Sequence, residues 1–353
     1  MANNSISYTT PAQQIQKLKQ QGLIIQDEDF AETQLRSCGY SNLIKSYREP
    51  YTFLQDGKKV YRSGVRFEQI YSLYLLDNSL RSSVMAAMLD LEEHIKEVTA
   101  DVIASSFGVD PNNYLKFTNY RDKKKSNSKF SLKKILDKMQ DALNSDKEPI
   151  HHYRTTYQLV PPWILFKSVY FSTITNFIDR LKPREQAALA MQLYNSAELK
   201  LSQDALRKLM VDTLFICQEY RNLVAHGGRT YNYICSSNLR AAEIFPKPIS
   251  PASGFSQLLF LLSMLNYRRP FERLEKILQE EVDRHCKMFP GDVTYLGQVL
   301  NVNIVQQSIV FVSGKSKKYH HNPHCSGIMD AQEMIFEQAI ERGYVPCKRC
   351  VEQ

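Results

Sequence analysis

Apolar residues recur with helical spacing over the first three quarters of the chain. Leu80, Val84, Met88, Leu91, Ile95, Val98 and Val102 follow one another by fours and threes, which places them on one face of a helix. A second series runs through Leu201, Leu206, Leu209, Met210, Thr213, Leu214 and Cys217 and continues towards His226. Shorter amphipathic stretches predict helices near 12–21, 27–37, 65–78, 130–143, 163–181 and 184–195. Pro161-Pro162 marks a break before the 163–181 segment, because proline suits a helix start and not its interior. The polar run Asn119–Lys129 reads as a loop. Beyond Asn238 the texture changes: Pro246, Pro248, Pro251 and Gly254 interrupt the chain, and 255–266 and 271–287 then read as helices. Pro290-Gly291 separates these from a tail in which Leu300, Val302 and Ile304 alternate with other residues and Ile309–Val312 forms a short apolar run. Both predict short strands, and 328–342 reads as a helix. The expected fold is mainly α, with a small C-terminal α+β module. The expected domains are 1–240 (helical core), 241–299 (helical extension and linker) and 300–353 (the module).

Composition changes this picture little. Of 353 residues, 43% are hydrophobic and 23% charged, the profile of a folded globular protein. No apolar run approaches the roughly 20 residues that span a bilayer, and the polar start lacks the basic head and apolar stretch of a signal peptide. A cytoplasmic, membrane-free protein is expected. Lys and Arg exceed Asp and Glu by 45 to 37, a net charge of +8. That excess favours a polyanionic partner, although solubility alone also accounts for it. Cys38, Cys217, Cys235 and Cys286 are scattered through apolar or helical segments and read as small packed residues. Cys325, Cys347 and Cys350 cluster at the end and need another explanation.

Candidate chemistry concentrates at Arg221-Asn222-Leu223-Val224-Ala225-His226. Cleaving a phosphodiester without a metal requires a group that activates the ribose 2′-hydroxyl, one that protonates the leaving 5′-oxygen, and a fixed cation for the charged transition state. Histidine titrates near neutrality and can give or take a proton. Arginine grips phosphate through paired N–H groups and stays charged. Asn222 can fix a phosphate oxygen or the imidazole, and Arg229 and Asn232 lie just beyond and can add phosphate contacts. Gly227-Gly228 is a helix stop, which puts His226 in the last turn, where the helix end favours a cation and so a proton donor. Residues five apart on an ideal helix point about 140° from each other. Arg221 and His226 therefore share a site only if the helix end distorts or if two copies of the chain meet there. Glu92 is either a partner for one of them or, more plainly, a surface glutamate or a helix-packing ion pair. Lys123, Lys124 and Lys125 in the polar loop are candidate RNA contacts, or simply a solvated surface run.

The surrounding pattern resembles abortive-infection proteins of the AbiD/AbiF type. Arg221-Asn222, His226, Arg229 and Tyr231-Asn232 match the end of that family's helical core, and Pro161-Pro162-Trp163-Ile164 is similar to its proline block. Gln16–Ile25, Leu35–Tyr40, Leu91-Glu92 and Phe67-x2-Ile70-x2-Leu73-Tyr74-x2-Asp77-x2-Leu80-Arg81 match its N-terminal part. Lys167 stands where a carboxylate often follows the proline block, and Ser172 where a glycine is expected. The resemblance covers roughly 12–235 and implies a HEPN-type helical bundle. It further implies a dimeric, metal-independent endoribonuclease with Arg221 and His226 as the catalytic pair and Asn222 in support. A cognate small noncoding RNA that restrains the enzyme is implied too. The alternative is a non-catalytic HEPN protein that binds a structured RNA.

The tail carries a second constellation. A Cys-x2-Cys knuckle, Cys347 and Cys350, supplies two zinc ligands with the right bite, and Cys325 and His321 supply two more, with His320 and His324 as competing fourth ligands. The order His-x-Pro-x-Cys, then Gly-Tyr-x-Pro-Cys-x2-Cys, resembles small zinc-binding modules akin to the metal-binding domain of Ada-type repair proteins. Four protein ligands leave no open position for water, so the expected zinc is structural and none is needed for catalysis. Lys315, Lys317, Lys318, Lys348 and Arg349 surround the module and are candidate nucleic-acid contacts.

Overall fold

The computed structural model describes residues 8–122, 130–245, 254–302, 309–320, 322–328 and 330–351. Lys123, Lys124, Lys125, Ile304 and His321 lie outside the described residues. The chain divides into two compact units, Met1–Val302 and Asn303–Gln353.

The first unit is helical. Its longer helices are α1 (Pro11–Gln20), α2 (Glu28–Cys38), α3 (Phe67–Phe107), α4 (Leu132–Leu143), α5 (Phe171–Arg180), α6 (Pro183–Leu193), α7 (Gln203–Ala225), α8 (Phe255–Ser263), α9 (Arg269–Met288) and α10 (Val293–Leu300). A hairpin of β1 (Thr52–Gln55) and β2 (Lys58–Tyr61) precedes α3. None of the described helices is long and apolar enough to cross a membrane.

The stretches 65–78 and 80–102 fuse into α3, a single helix of 41 residues and about 60 Å. Leu73, Leu76, Leu80, Val84, Met88, Leu91 and Ile95 are fully buried along it, and α6, α7 and α9 pack against it. Ser202 caps α7 by accepting a hydrogen bond from the Ala205 amide, and Leu206, Leu209, Met210, Leu214 and Cys217 bury its apolar face. α9 buries Leu274, Leu278, Val282 and Cys286, each four residues after the last.

One buried polar knot ties α9 and the turn after it to the start of α3. His285, fully buried, joins Ser72 Oγ through Nδ1 at 2.9 Å and Asp292 Oδ2 through Nε2 at 2.8 Å. Tyr51 donates to Asp292 Oδ2 at 2.7 Å and Gln69 donates to Oδ1 at 2.9 Å. Burial opposes ionisation of Asp292, yet the hydrogen bonds from His285, Tyr51 and Gln69 outweigh it and hold the carboxyl below the usual range.

Two expectations change. The 163–181 segment is not one helix: Pro162–Leu165 and Phe166–Ser168 form short turns, and Val169 and Tyr170 are extended before α5 begins. The break lets Phe166, Val169 and Phe171 all turn inward while Tyr170 stays exposed. Leu300, read as part of a strand, is instead the last residue of α10 and is fully buried.

The second unit is a four-stranded sheet with one short helix. β3 (Ile309–Ser313), β4 (Ser316–His320), β5 (Gln332–Ile335) and β6 (Val345–Pro346) lie in the order β5-β3-β4-β6, and α11 (Phe336–Glu341) follows β5. β4 pairs antiparallel with β3, placing Phe311 opposite His320, and parallel with β6, placing Tyr319 opposite Pro346. The helix expected over 328–342 is confined to α11, because 332–335 adds to the edge of β3, Met334 opposite Val310. Val310, Val312, Tyr319 and Ala339 form a small core with Met334, Phe336 and Tyr344 packed on it.

Candidate functional site

The end of α7 is built by glycine. His226 is the C-cap, and Gly227 follows with φ +69°, the left-handed conformation that a β-carbon disfavours. A β-carbon on Gly228 would come within 2.2 Å of Leu223 Cδ1. The tight reversal carries the chain straight into Arg229, Thr230 and Tyr231, where α3 takes hold of it. Asp77, fully buried on α3, accepts the backbone N–H of Thr230 at 2.7 Å and of Tyr231 at 2.8 Å through Oδ1, and the Tyr47 hydroxyl at 2.6 Å through Oδ2. Burial pushes the Asp77 carboxyl up, opposed by these donors and by the charge of Arg81. Tyr47 stacks on Tyr231 with ring centroids 6.0 Å apart.

One turn beyond Asp77, Arg81 donates to the Gly227 carbonyl at 3.0 Å and to Asn78 Oδ1 at 2.6 Å. Arg229 donates to the Ser46 carbonyl at 2.6 Å. Neither guanidinium is in an ion pair among the described residues. Arg81, His226, Gly227 and Arg229 line a cavity of about 240 Å³ with Asn42, Ser46, Tyr47 and Tyr74. An exposed histidine that lines a polar hollow with two guanidiniums in no ion pair among the described residues can help bind an anion and move a proton beside it.

The sequence-predicted residues divide here. His226 and Arg229 meet at the cavity; Arg221, Asn222 and Asn232 are not among its lining residues. Arg221 is half-buried on α7 with its Nε enclosed and without a hydrogen-bond partner, Asn222 is exposed, and Asn232 is half-buried. Glu92 pairs with Lys96 at 2.7 Å, one turn along α3, which is the plainer of its two readings. Lys167 pairs with Glu97 of α3 at 3.5 Å. Asp77 and Arg81 stand in the stretch that carries the family resemblance, but the sequence gives neither them nor Tyr47 a role at the site. The available signal was a carboxylate on the apolar stripe Leu73, Leu76, Asp77, Leu80, followed four residues later by an arginine.

The second unit brings together His320, Cys325, Cys347 and Cys350, one ligand atom from each, all within 4.8 Å of one another. Cys325 Sγ lies 4.0 Å from Cys347 Sγ, and Cys350 Sγ lies 3.5 Å from His320 Nδ1. Ligand atoms around a tetrahedral zinc are about 3.5–3.8 Å apart, given bonds of about 2.3 Å to sulfur and about 2.0 Å to nitrogen. The amides of Arg349 and Cys350 point at Cys347 Sγ and help hold that thiol below its usual range. The Gly327 amide points at Cys325 Sγ and lowers it too, but burial and hydrogen bonds with Cys350 and Cys347 leave Cys325 raised. The Nε2 atom of His320 is buried without a partner. Gly327 leaves the room the imidazole needs, since a β-carbon there would lie 3.2 Å from His320 Cε1. The set could hold a metal ion, and among the described residues the histidine that joins the cysteines is His320. Tyr319 and His320 are the buried residues of β4, and His320 sits opposite Phe311 beside the knuckle. Lys315, Lys317, Lys318, Lys348 and Arg349 are exposed; Lys317 also lies over the Tyr344 ring, 5.1 Å from its centroid.

No curated protein and no solved structure matches the chain. The family model described as "Abi-like protein" matches residues 33–232, a span that begins in α2, contains all of α3 and α7, and closes just past Arg229. With more than half of its length matched, the chain belongs to the Abi-like protein family, which points to a role related to abortive infection.

Proposed function

We propose that this protein is a metal-independent endoribonuclease of the HEPN type, the effector of an abortive-infection or toxin–antitoxin system, acting in the cytoplasm as a homodimer and restrained by a cognate small noncoding RNA. The observation that carries the reading is the cavity at the end of α7, which His226 lines together with two arginines that are in no ion pair among the described residues. RNA supplies both the anion for the arginines and the internal nucleophile for a metal-free route. In that route a base takes the 2′-hydroxyl proton, the 2′-oxygen bonds to phosphorus, the bond from phosphorus to the 5′-oxygen breaks, and an acid protonates the departing oxygen. His226 fills one of the two proton-transfer roles. Arginine charge stabilises the pentavalent phosphorus centre between the steps. In a homodimer two α7 ends provide two histidines and two copies of Arg221-Asn222, which is how Arg221 would reach the phosphate.

In the second unit, zinc is the metal that the three cysteines and His320 suit best. It would fold the module and leave no coordination site for water.

The experiment is cleavage of RNA by the purified protein and by His226→Ala, both in EDTA. The wild type is expected to cleave and the variant to lose at least about 100-fold, the usual range for removing an acid–base group. Equal cleavage by both would sink the assignment. One observation favours a second reading, a non-catalytic HEPN protein that holds a structured RNA: Arg221 does not line the cavity. Tight binding of a co-purifying transcript by both proteins, without cleavage, would select it.

A further inference from the structure

We propose that Arg81, on α3 and far in sequence from the Arg-x4-His segment, is a catalytic residue: with Arg229 it holds the phosphate that His226 acts on. The inference rests on the nuclease reading and adds the residues that grip its substrate.

The geometry points to Arg81 in three ways. First, its hydrogen-bond partners are a carbonyl and an amide oxygen, Gly227 O and Asn78 Oδ1, and among the described residues it is in no ion pair, so its positive charge is positioned by neutral groups. Arg229 is held in the same manner by the Ser46 carbonyl. Several other arginines of this unit face acids instead: Arg240 pairs with Asp212 at 2.7 Å, Arg273 with Asp90 at 3.2 Å and Arg154 with Asp146 at 2.8 Å. Second, a guanidinium carries five donors, and Arg81 spends two of them on these bonds. Its remaining N–H groups are available to an anion in the cavity that it lines together with His226. Third, the mounting is rigid. Asp77, one turn before Arg81 on the same helix, clamps the backbone of Thr230 and Tyr231, so α3 fixes Arg81 and the loop bearing Arg229 at once. A phosphodiester suits a hollow with two converging guanidiniums, and Tyr74 on its wall offers an aromatic ring beside it.

Arg81 could instead be a plain cap that satisfies the last carbonyls of α7. Salt dependence separates the two roles, because only a phosphate contact changes the number of ions released on binding. The test uses full-length wild type, Arg81→Ala, Arg81→Lys, Arg81→Gln and His226→Ala. One arm follows RNA cleavage in EDTA. The other follows affinity for a single-stranded RNA oligonucleotide with 2′-O-methyl riboses, which cannot be cleaved, across a salt series. Thermal unfolding checks each fold; Arg81→Gln keeps a donor for the Gly227 carbonyl without the charge. Arg81→Ala and Arg81→Gln are expected to lose about 100-fold in cleavage or more. Their slope of log affinity against log salt should be shallower by about 0.7, one phosphate contact on a single strand. Arg81→Lys should recover the slope and part of the rate.

If Arg81→Gln cleaves like the wild type while His226→Ala is inactive, the inference fails and the nuclease reading stands. If His226→Ala cleaves like the wild type, or the wild type does not cleave, the nuclease reading fails and binding decides for Arg81. An unchanged affinity and slope then overturns the phosphate subsite, and a weaker, shallower binding supports it.

Discussion

Two residues before Arg221, the Glu219 carboxylate gathers the loop that follows the site. It accepts from the Tyr233 hydroxyl, from the Ser236 amide at 2.6 Å and hydroxyl at 2.9 Å, and from the Ser237 amide at 2.9 Å and hydroxyl at 2.7 Å. Burial opposes its ionisation, but these donors win and take its pKa down from 4.5 to about 2. A carboxyl that is more acidic in the folded state stabilises fully above its unfolded value. It loses that contribution as pH falls from about 4.5 to about 2. Thermal unfolding followed by circular dichroism between these limits should therefore show a steeper loss for wild type than for Glu219→Gln, and parallel profiles would refute the loop's dependence on this charge. The contrast between Glu219 and Asp77 also shows what was legible at this scale. Arg221, Asn222 and His226 could be read because they lie within one turn and a half of sequence, and Gly227-Gly228 told where the helix ends. Arg81 and Asp77 reach the site only because α3 passes beside α7, a juxtaposition that periodicity does not encode. His320 is only one of several candidate fourth ligands in the sequence, and its burial at the end of β4, beside the knuckle, comes from pairing with β3.

Between residues and the whole chain, the elements follow the apolar pattern wherever that pattern is long. α1, α2, α6, α7 and α9 lie within a few residues of the predicted stretches, since each presents one continuous face to a neighbour. The pattern misleads where burial comes from two sides or from a strand edge. The extended residues Val169 and Tyr170 interrupt a segment whose apolar spacing still looks helical. Residues 332–335 read as helix because their partner strand lies more than 20 positions upstream. The β1–β2 hairpin was passed over although Asp56-Gly57 at its turn is a hairpin signal, both with positive φ. The buried knot gives this scale its prediction. His285 serves Ser72 and Asp292 together, so His285→Ala takes the ring partner from the buried Ser72 hydroxyl, removes one of the hydrogen bonds to Asp292 and opens a cavity, at an expected cost of about 2–4 kcal/mol. Ser72→Ala removes one hydroxyl and should cost about 1 kcal/mol. Urea unfolding of both variants measures the difference. Equal losses would mean that the attachment of α9 to α3 rests on Leu274, Leu278 and Val282 and not on the knot.

For the molecule as a whole, the two units reach stability by different means. Met1–Val302 has a core of long helices around α3. Asn303–Gln353 buries Val310, Val312, Tyr319 and Ala339 in one cluster and Cys325, Ile328 and Cys347 in another. Apolar burial on that scale does not offset the entropy of ordering some fifty residues, so such a unit needs a staple. Zinc in small metal-folded domains contributes about 10–16 kcal/mol, more than enough to decide whether the sheet forms. Purified protein should therefore contain zinc equimolar with the chain, measured by plasma mass spectrometry. A strong chelator should remove it and abolish hydrogen-exchange protection in β3 and β4 while the amides of α3 stay protected. His320→Ala and Cys347→Ser should lose the metal, and His321→Ala should keep it, because among the described residues the imidazole set with the three sulfurs is that of His320. Zinc retained by His320→Ala and lost by His321→Ala would reverse the ligand assignment, and protection that survives chelation would show that the sheet holds by its apolar clusters alone.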